Sequence, residues 1–183
     1  MPFDHFDVIA PIFARTNYLS LDMMRKLAGL PAKGRLLDVG GGTGRVSSGL
    51  RADVDEIVIA DASMGMLKRS ASLPGLEAVG SYSEALPFPD ASFERIIMVD
   101  ALHHVIDQAG SAREMLRVLK PGGRIVIQEP NIRIFGVKLI AIAEKLLLMR
   151  SHILSADAIA GLFSNAKTNI FFEDSSAWVM VEK

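Results

Sequence analysis

The sequence contains no cysteine, which excludes disulfide bonds, thiolate catalysis and metal sites built on cysteine ligands. It also lacks an excess of either charge, because 20 Lys and Arg residues balance 21 Asp and Glu residues. A chain with this balance has no electrostatic footprint for nucleic acid. The N-terminal stretch MPFDHFDVIAPIF carries acids where a secretory signal would carry basic residues, so we expect a cytoplasmic protein.

The 183 residues, half of them apolar, predict one domain over 1–183 that can bury a core without a metal or disulfide. Short apolar runs alternate with helical patterns along most of the chain, which is typical of a parallel sheet. The predicted strands are 35–39, 56–61, 76–80, 95–100 and 124–130, and the predicted helices are 5–28, 44–52, 64–72 and 111–119. Segments 170–173 and 177–182 predict a closing β-hairpin. The fold class is therefore α/β: doubly wound and Rossmann-like, with a mostly parallel seven-stranded sheet and a C-terminal antiparallel hairpin.

The strongest local pattern is an acid near a strand end followed by spaced glycines, at Asp38, Gly40, Gly42 and Gly44. Glycine serves where backbone turns sharply or approaches a ligand closely. The dinucleotide fingerprint would need a further glycine where this chain has Arg45. The pattern thus favours a nucleoside without a pyrophosphate, although a glycine-rich stretch can also be only a tight turn.

Asp61 ends the second predicted strand, 21 residues after Gly40. An acid there can accept hydrogen bonds from both hydroxyls of a ribose. An acid at this position can also be present because its negative charge is favourable near the N-terminus of the following helix, and Asp61 can serve both roles.

Several segments together resemble the class I S-adenosylmethionine-dependent methyltransferases, and within them the type 11 group that includes ubiquinone and menaquinone C-methyltransferases. The resemblance covers about residues 3–130. It rests on FDVIAPIFARTNYL, LLDVGGGTGR, IVIADAS, EALPFPDASFERIIMVDALHHV and MLRVLKPGGRIVIQEP. It implies methyl transfer and S-adenosylmethionine as the cofactor.

The resemblance also assigns residues at the strand ends to the cofactor. They are Asp38, Gly40, Gly42, Gly44, Asp61, Ala62, Met64, Tyr82, Asp100 and Ala101. Asp38 and the glycines would surround the methionine part, and Asp61 would hold the ribose. Ala62 and Met64 would flank the adenine, and the two residues after the fourth strand would lie beside the methyl group.

The chain departs from the family at three places. Tyr82 stands where the family often has an Asp for the adenine amino group, and Phe13 and Ala14 replace a Tyr and an Asp of the first helix. These changes favour an alternative hypothesis, a non-catalytic protein that binds S-adenosylmethionine or S-adenosylhomocysteine. A nicotinamide-dependent oxidoreductase is a further alternative, which Arg45 disfavours.

His103 and His104 are the candidates for a catalytic base. If 100–107 were helical, Asp100, both histidines and Asp107 would share one face, which could also bind a divalent metal. We expect no metal, because the family places similar histidines here without one, in structural or pocket-lining roles.

The segment 132–150 is unusually apolar but carries too many charges for a membrane span, so we expect no stable membrane insertion. It can be a core helix, a homodimer interface or a lid; a membrane-surface helix is a weaker reading. We predict a helical lid over 1–30 and a lid or substrate segment over 131–165. The sequence therefore predicts a methyltransferase for a small apolar or aromatic acceptor, with no nucleic acid partner.

Overall fold

The computed structural model describes residues 20–134 and 152–183, in which seven strands form one sheet. The strands are β1 (Arg35–Val39), β2 (Glu56–Asp61), β3 (Leu76–Gly80), β4 (Phe93–Val99), β5 (Leu119–Pro130), β6 (Lys167–Glu173) and β7 (Ser176–Glu182). The helices within these residues are α1 (Leu21–Ala28), α2 (Arg45–Leu50), α3 (Met64–Ser70), α4 (Gln108–Val118) and α5 (Ala156–Gly161), with short 3-10 helices at Arg51–Asp53 and Leu102–His104.

The strand order is β3-β2-β1-β4-β5-β7-β6. The first five strands pair in parallel, and β7 runs antiparallel to both β5 and β6. This arrangement confirms the doubly wound α/β fold and its C-terminal hairpin. It also brings the carboxyl ends of β1, β2, β4 and β5 to one edge of the sheet, where ligands bind in open α/β folds.

Both faces of the central strands are buried, which explains why they read as continuous apolar runs. In β1, Leu37 and Val39 belong to one core, and Leu36 belongs to the core on the opposite face. Trp178 of β7 is fully buried in this second core, beneath α1. The sheet is thus held from both sides, and its carboxyl edge is a rigid base for side chains and turns.

The helices begin and end where capping residues stand. Ser63 accepts a hydrogen bond from the backbone of α3, and Ser20 does the same for α1. Gly29 ends α1 with a left-handed φ of +64°, and a Cβ atom there would lie 2.9 Å from the Arg124 guanidinium. Gly29 is therefore a structural position, because a side chain would strain both the cap and its neighbour.

Two predicted boundaries in this part of the chain were wrong. The predicted 124–130 strand begins earlier, because β5 already starts at Leu119, directly after α4 ends at Val118. The pairing of β4 with β5 shifts register between Phe93 and Arg95, so β5 accommodates the Pro-Gly-Gly residues as an irregularity within the strand. The predicted 95–100 strand also begins earlier, because β4 starts at Phe93, which is fully buried.

The predicted lids fall largely outside the described residues. Only the end of the predicted 5–28 helix is described, as α1, and Pro11, Phe13, Ala14 and Tyr18 lie outside. Most of the apolar segment 132–150 lies outside as well. Across 20–134 and 152–183, no helix is long and apolar enough to cross a membrane.

Candidate functional site

The turn after β1 carries the spaced glycines at the carboxyl edge of the sheet. Gly40, Gly42 and Gly44 have φ angles of +70°, +54° and +78°, in the left-handed region that favours glycine. A Cβ atom on Gly40 would lie 2.6 Å from the Cβ of Ala101, so this glycine lets the turn pack against the segment after β4. The predicted turn is confirmed, and it lies beside a second predicted part of the site.

Asp61 joins the glycine turn to the end of β2. Its Oδ2 accepts a hydrogen bond from the Gly42 N–H at 2.9 Å, and its Oδ1 accepts one from the Ser63 N–H at 2.7 Å. These two bonds tie the end of β2 to the glycine turn and to the residue before α3. The geometry suits the ribose role predicted for Asp61, which stays a prediction.

Asp38 lies behind the turn and is buried, with only 1% of its surface exposed. The Ser47 hydroxyl of α2 donates to Asp38 Oδ2 at 2.6 Å. Burial raises the pKa of the Asp38 carboxyl to about 6, against the lowering effect of that hydrogen bond. Asp38 therefore supports the turn from within the sheet, while its predicted contact with a methionine part remains untested.

The ends of β2 and β3 expose apolar surface where the adenine was predicted to bind. Ala62 is exposed, and Met64 and Tyr82 are 62% and 68% exposed. Between them, the Ser81 N–H donates to the backbone oxygen of Asp61 at 3.0 Å, and the Ser81 hydroxyl is buried without a hydrogen-bond partner. Sequence reasoning missed Ser81, which has no pattern of its own beyond its place after a strand.

A buried carboxylate organises the segment after β4. Glu129, near the end of β5 and 1% exposed, accepts hydrogen bonds from the N–H groups of Ala101 (3.1 Å) and Leu102 (2.8 Å) through Oε1. Its Oε2 lies 2.5 Å from Nδ1 of His103, which is also buried. Sequence reasoning missed Glu129, although an acid at a strand end was the signal that found Asp38 and Asp61.

Asp100 precedes this network and remains exposed on one side, with a left-handed φ of +49°. Its N–H donates to the backbone oxygen of Gln128 at 3.0 Å. Surrounding protein atoms and the negative charge of Glu129 raise the pKa of the Asp100 carboxyl. Asp100 and Ala101 thus lie next to the glycine turn. They form the predicted cofactor floor, the surface expected to lie beside the methyl group.

Residues 100–107 do not form the helix that a shared face of Asp100, the two histidines and Asp107 would require. Only Leu102–His104 forms a short 3-10 helix, and Val105 is extended, so Asp107 is not on a common face with the histidines. The rings of His103 and His104 lie 3.9 Å apart between centroids. Burial and the nearby His103 lower the pKa of His104 to about 4, so His104 is a weak base.

The described residues contain no group of three or more metal-ligating side chains that could hold an ion. The carboxyl edge instead presents a glycine turn, the Asp61 carboxylate, exposed apolar surface and a buried Glu–His pair. This combination suits a nucleoside-containing cofactor on the β1–β2 side and a reacting group on the β4–β5 side.

The comparisons with known proteins agree with this geometry. A family model described as a methyltransferase domain, of the type 11 group, matches residues 37–127. The chain is 38% identical over 136 residues to a demethylmenaquinone methyltransferase of Clavibacter sepedonicus, covering 68% of this chain and 56% of that protein. It is also 38% identical over 114 residues to a ubiquinone/menaquinone biosynthesis C-methyltransferase of Pseudomonas fluorescens, covering 57% and 44%.

A crystal structure from Thermotoga maritima shares the fold. That protein is described as an S-adenosylmethionine-dependent methyltransferase and possible histamine N-methyltransferase. The two structures superpose with a TM-score of 0.80 at 20% identity, over 97% of this chain and 98% of that one. The chain belongs to the class I S-adenosylmethionine-dependent methyltransferases, within the type 11 group. It spans about half the length of the curated relatives it matches.

The cofactor of this family is S-adenosylmethionine, and the residues at the carboxyl edge fit it. Gly42 has a φ of +54°, and a Cβ atom there would lie 3.0 Å from the Met66 sulfur, so this position of the turn suits glycine. Ser81, whose backbone N–H donates to the backbone oxygen of Asp61, carries a buried hydroxyl without a hydrogen-bond partner. Gly42, Asp61 and Ser81 would hold the adenosine and methionine parts, and Ala101 would lie below the methyl group.

Proposed function

We propose that this chain transfers a methyl group from S-adenosylmethionine to a small apolar or aromatic acceptor. Family membership supports the reaction, and the quinone-related names of the curated relatives support the acceptor class. The near-zero net charge supports a small molecule rather than nucleic acid. We also propose a cytoplasmic location and retain a homodimer as a prediction.

S-adenosylmethionine supplies a methyl group that its positive sulfur has already activated, so the protein contributes mainly binding and orientation. Gly42 and Asp61 would orient the cofactor from the β1–β2 side. The amides of Ala101 and Leu102, tied to Glu129, would keep the floor beside the reacting atoms rigid. A rigid floor favours the alignment that a direct displacement needs.

The observation that carries this proposal is the buried pair of His103 and Glu129. With Nδ1 facing the carboxylate, proton transfer on this ring would use Nε2, which would take the proton of an acceptor hydroxyl as the methyl group is transferred. The Glu129 carboxylate would stabilise the imidazolium that forms. His104 is the weaker candidate, because a pKa of about 4 disfavours proton uptake near neutral pH.

The test is production of S-adenosylhomocysteine from S-adenosylmethionine with a panel of naphthols, hydroquinones, tRNA and peptides. We expect turnover with an aromatic hydroxyl compound, and a loss of about 10²- to 10⁴-fold in kcat for His103→Asn with unchanged cofactor affinity. His104→Asn, the matched control, should change kcat far less. Methylation of tRNA or peptide alone would contradict the acceptor class, and a fully active His103→Asn would contradict the base.

Cofactor binding without turnover on any acceptor would favour the second candidate, a non-catalytic binding protein. The specific observation behind that candidate is Tyr82, which is 68% exposed where the family often has an Asp for the adenine. Tighter binding of NADH than of S-adenosylhomocysteine in the same titrations would favour an oxidoreductase instead.

A further inference from the structure

Two buried polar groups without a hydrogen-bond partner lie on neighbouring strands of the sheet. They are Oε1 of Gln128 in β5 and the indole N–H of Trp178 in β7, in side chains that are 4% and 0% exposed. The two residues are directly opposite each other in the antiparallel pairing. Directly opposite side chains share a face of the sheet and their Cβ atoms lie about 5 Å apart, so the two side chains are neighbours.

The surroundings fix which end of the Gln128 amide is free. Its Nε2 donates to the Ser176 hydroxyl at 3.0 Å, and its side chain also forms a hydrogen bond with Asp100 that lowers the pKa of that carboxyl. Exchanging the amide oxygen and nitrogen would turn the oxygen toward the Asp100 carboxylate. The carbonyl oxygen is therefore the end without a partner, and the site adjoins the cofactor floor at Asp100.

The unpaired groups define the chemistry of what would bind. An indole N–H can only donate and an amide oxygen can only accept, so a group that serves both must accept one hydrogen bond and donate another. A hydroxyl does both; a carbonyl or ether would serve Trp178 alone, and an ammonium would serve Gln128 alone. Val99 and Phe171 pack against the same core as the indole, so the neighbourhood is otherwise apolar.

We propose that Gln128 and Trp178 form a subsite that binds a hydroxyl group of the methyl acceptor, with the apolar body of that molecule against the surrounding core residues. This inference rests on the proposed function, because it takes the acceptor to be the ligand. It narrows the acceptor to an apolar molecule that carries a hydroxyl group, for which 2-naphthol is a convenient probe. It also makes Gln128 and Trp178 residues that determine specificity rather than residues that react.

The chain contains one tryptophan, so a single indole N–H signal in a proton–nitrogen correlation spectrum reports on this site alone. The experiment titrates 2-naphthol, and naphthalene as the matched probe without a hydroxyl, into the full chain saturated with S-adenosylhomocysteine. We expect 2-naphthol to move the indole proton downfield, as a new hydrogen bond does, and naphthalene to leave it nearly unmoved. Equal shifts with both probes, or no shift with either, would overturn the subsite.

Two variants sharpen the result. Gln128→Leu should weaken 2-naphthol binding about tenfold and leave naphthalene binding unchanged, whereas Asn169→Leu on β6 should leave both unchanged. Replacing Trp178 biosynthetically by benzothienylalanine, which keeps the shape of the ring and removes the N–H, should give the same loss without a packing defect. Unchanged 2-naphthol affinity in that protein would overturn the proposal.

A bound water is the competing occupant. A nuclear Overhauser contact from the indole N–H to a water that 2-naphthol does not displace would assign the pair to that water and overturn the subsite. None of these measurements needs turnover. A chain that binds 2-naphthol at the indole but never methylates it would keep the subsite and contradict the proposed reaction, so the two failures are distinguishable.

Discussion

The two halves of the carboxyl edge are built differently. On the β1–β2 side, the turn is built mainly of glycine, and the Asp61 carboxylate accepts hydrogen bonds from two backbone N–H groups. Exposed Met64 and Tyr82 leave this side open to solvent. On the β4–β5 side, a buried side-chain pair, His103 and Glu129, carries the structure.

Because of this difference, mutations in the two halves should have different consequences for ligand affinity and for stability. An open turn made of backbone is sensitive to added side-chain volume, and its loss costs ligand affinity more than stability. A buried ionisable pair is sensitive to the removal of one partner, and its loss costs stability first. Each prediction below tests whether the halves respond as separately as their construction indicates.

The largest expected effect is on the β1–β2 side. Gly42→Val should abolish S-adenosylmethionine binding, because a branched side chain at a φ of +54° would strain the turn. Its Cβ atom would also lie 3.0 Å from the Met66 sulfur and push that side chain aside. Calorimetric titration measures the loss, and thermal unfolding checks that the fold survives.

The matched control for this change is Gly161→Ala. A Cβ atom at Gly161 would meet no atom within 4 Å, and its φ is not left-handed, so cofactor affinity should be unchanged. Gly29 also lies outside the motif, but it is unsuitable as a control because it ends α1 in a left-handed conformation and a Cβ atom there would contact Arg124. Equal effects of Gly42→Val and Gly161→Ala would mean that the turn has no special role in binding.

On the β4–β5 side, Glu129→Ala should lower the free energy of unfolding by about 3–5 kcal/mol, since it leaves His103 and the amides of Ala101 and Leu102 without their buried partner. Glu129→Gln keeps the shape and the acceptor for the two amides, so it should cost less than half as much. Urea unfolding of both variants measures this, and equal losses would show that the carboxylate facing His103, rather than the hydrogen bonds to the two amides, holds the segment.

The same pair shows what sequence could and could not predict. The glycine turn and Asp61 were found because their meaning lies in local spacing, which fixes a turn at a strand end. Glu129 is 26 residues from His103, and their contact depends on the register of β4 against β5. A pattern within one segment carries no information about such a pairing.

Local periodicity also misled at 100–107. The i, i+3, i+4 spacing of acids and histidines is that of a helix face, but the left-handed φ of Asp100 and the extended Val105 stop the chain from propagating one. The N–H groups of Ala101 and Leu102 donate to Glu129 instead, and these hydrogen bonds fix a non-helical conformation. The apolar character of 95–99 and 124–129, by contrast, was sufficient to place both strands, because central parallel strands are buried on both faces.

A smaller effect follows from the titration of Asp38. The unfolded chain releases this proton near its ordinary pKa of 3.8, whereas the native state holds it to about pH 6. Between these values the native state binds more protons, so the contribution of Asp38 to stability is lost as pH rises through that window, by about 3 kcal/mol in total. Asn cannot titrate, so the stability of Asp38→Asn relative to wild type should grow by about this amount from pH 4 to pH 7. A constant difference across that range would contradict the buried, raised pKa.

The division of the site between cofactor and acceptor is tested most directly by calorimetric titration of S-adenosylhomocysteine into three proteins: wild type, Asp61→Ala and Glu129→Gln. The central claim is that the β1–β2 side binds the cofactor and the β4–β5 side serves the acceptor. We predict one site in the wild type, a loss of about 1.5–3 kcal/mol in binding free energy for Asp61→Ala, and affinity within about threefold of wild type for Glu129→Gln. Binding by Asp61→Ala as tight as that of the wild type would contradict the account.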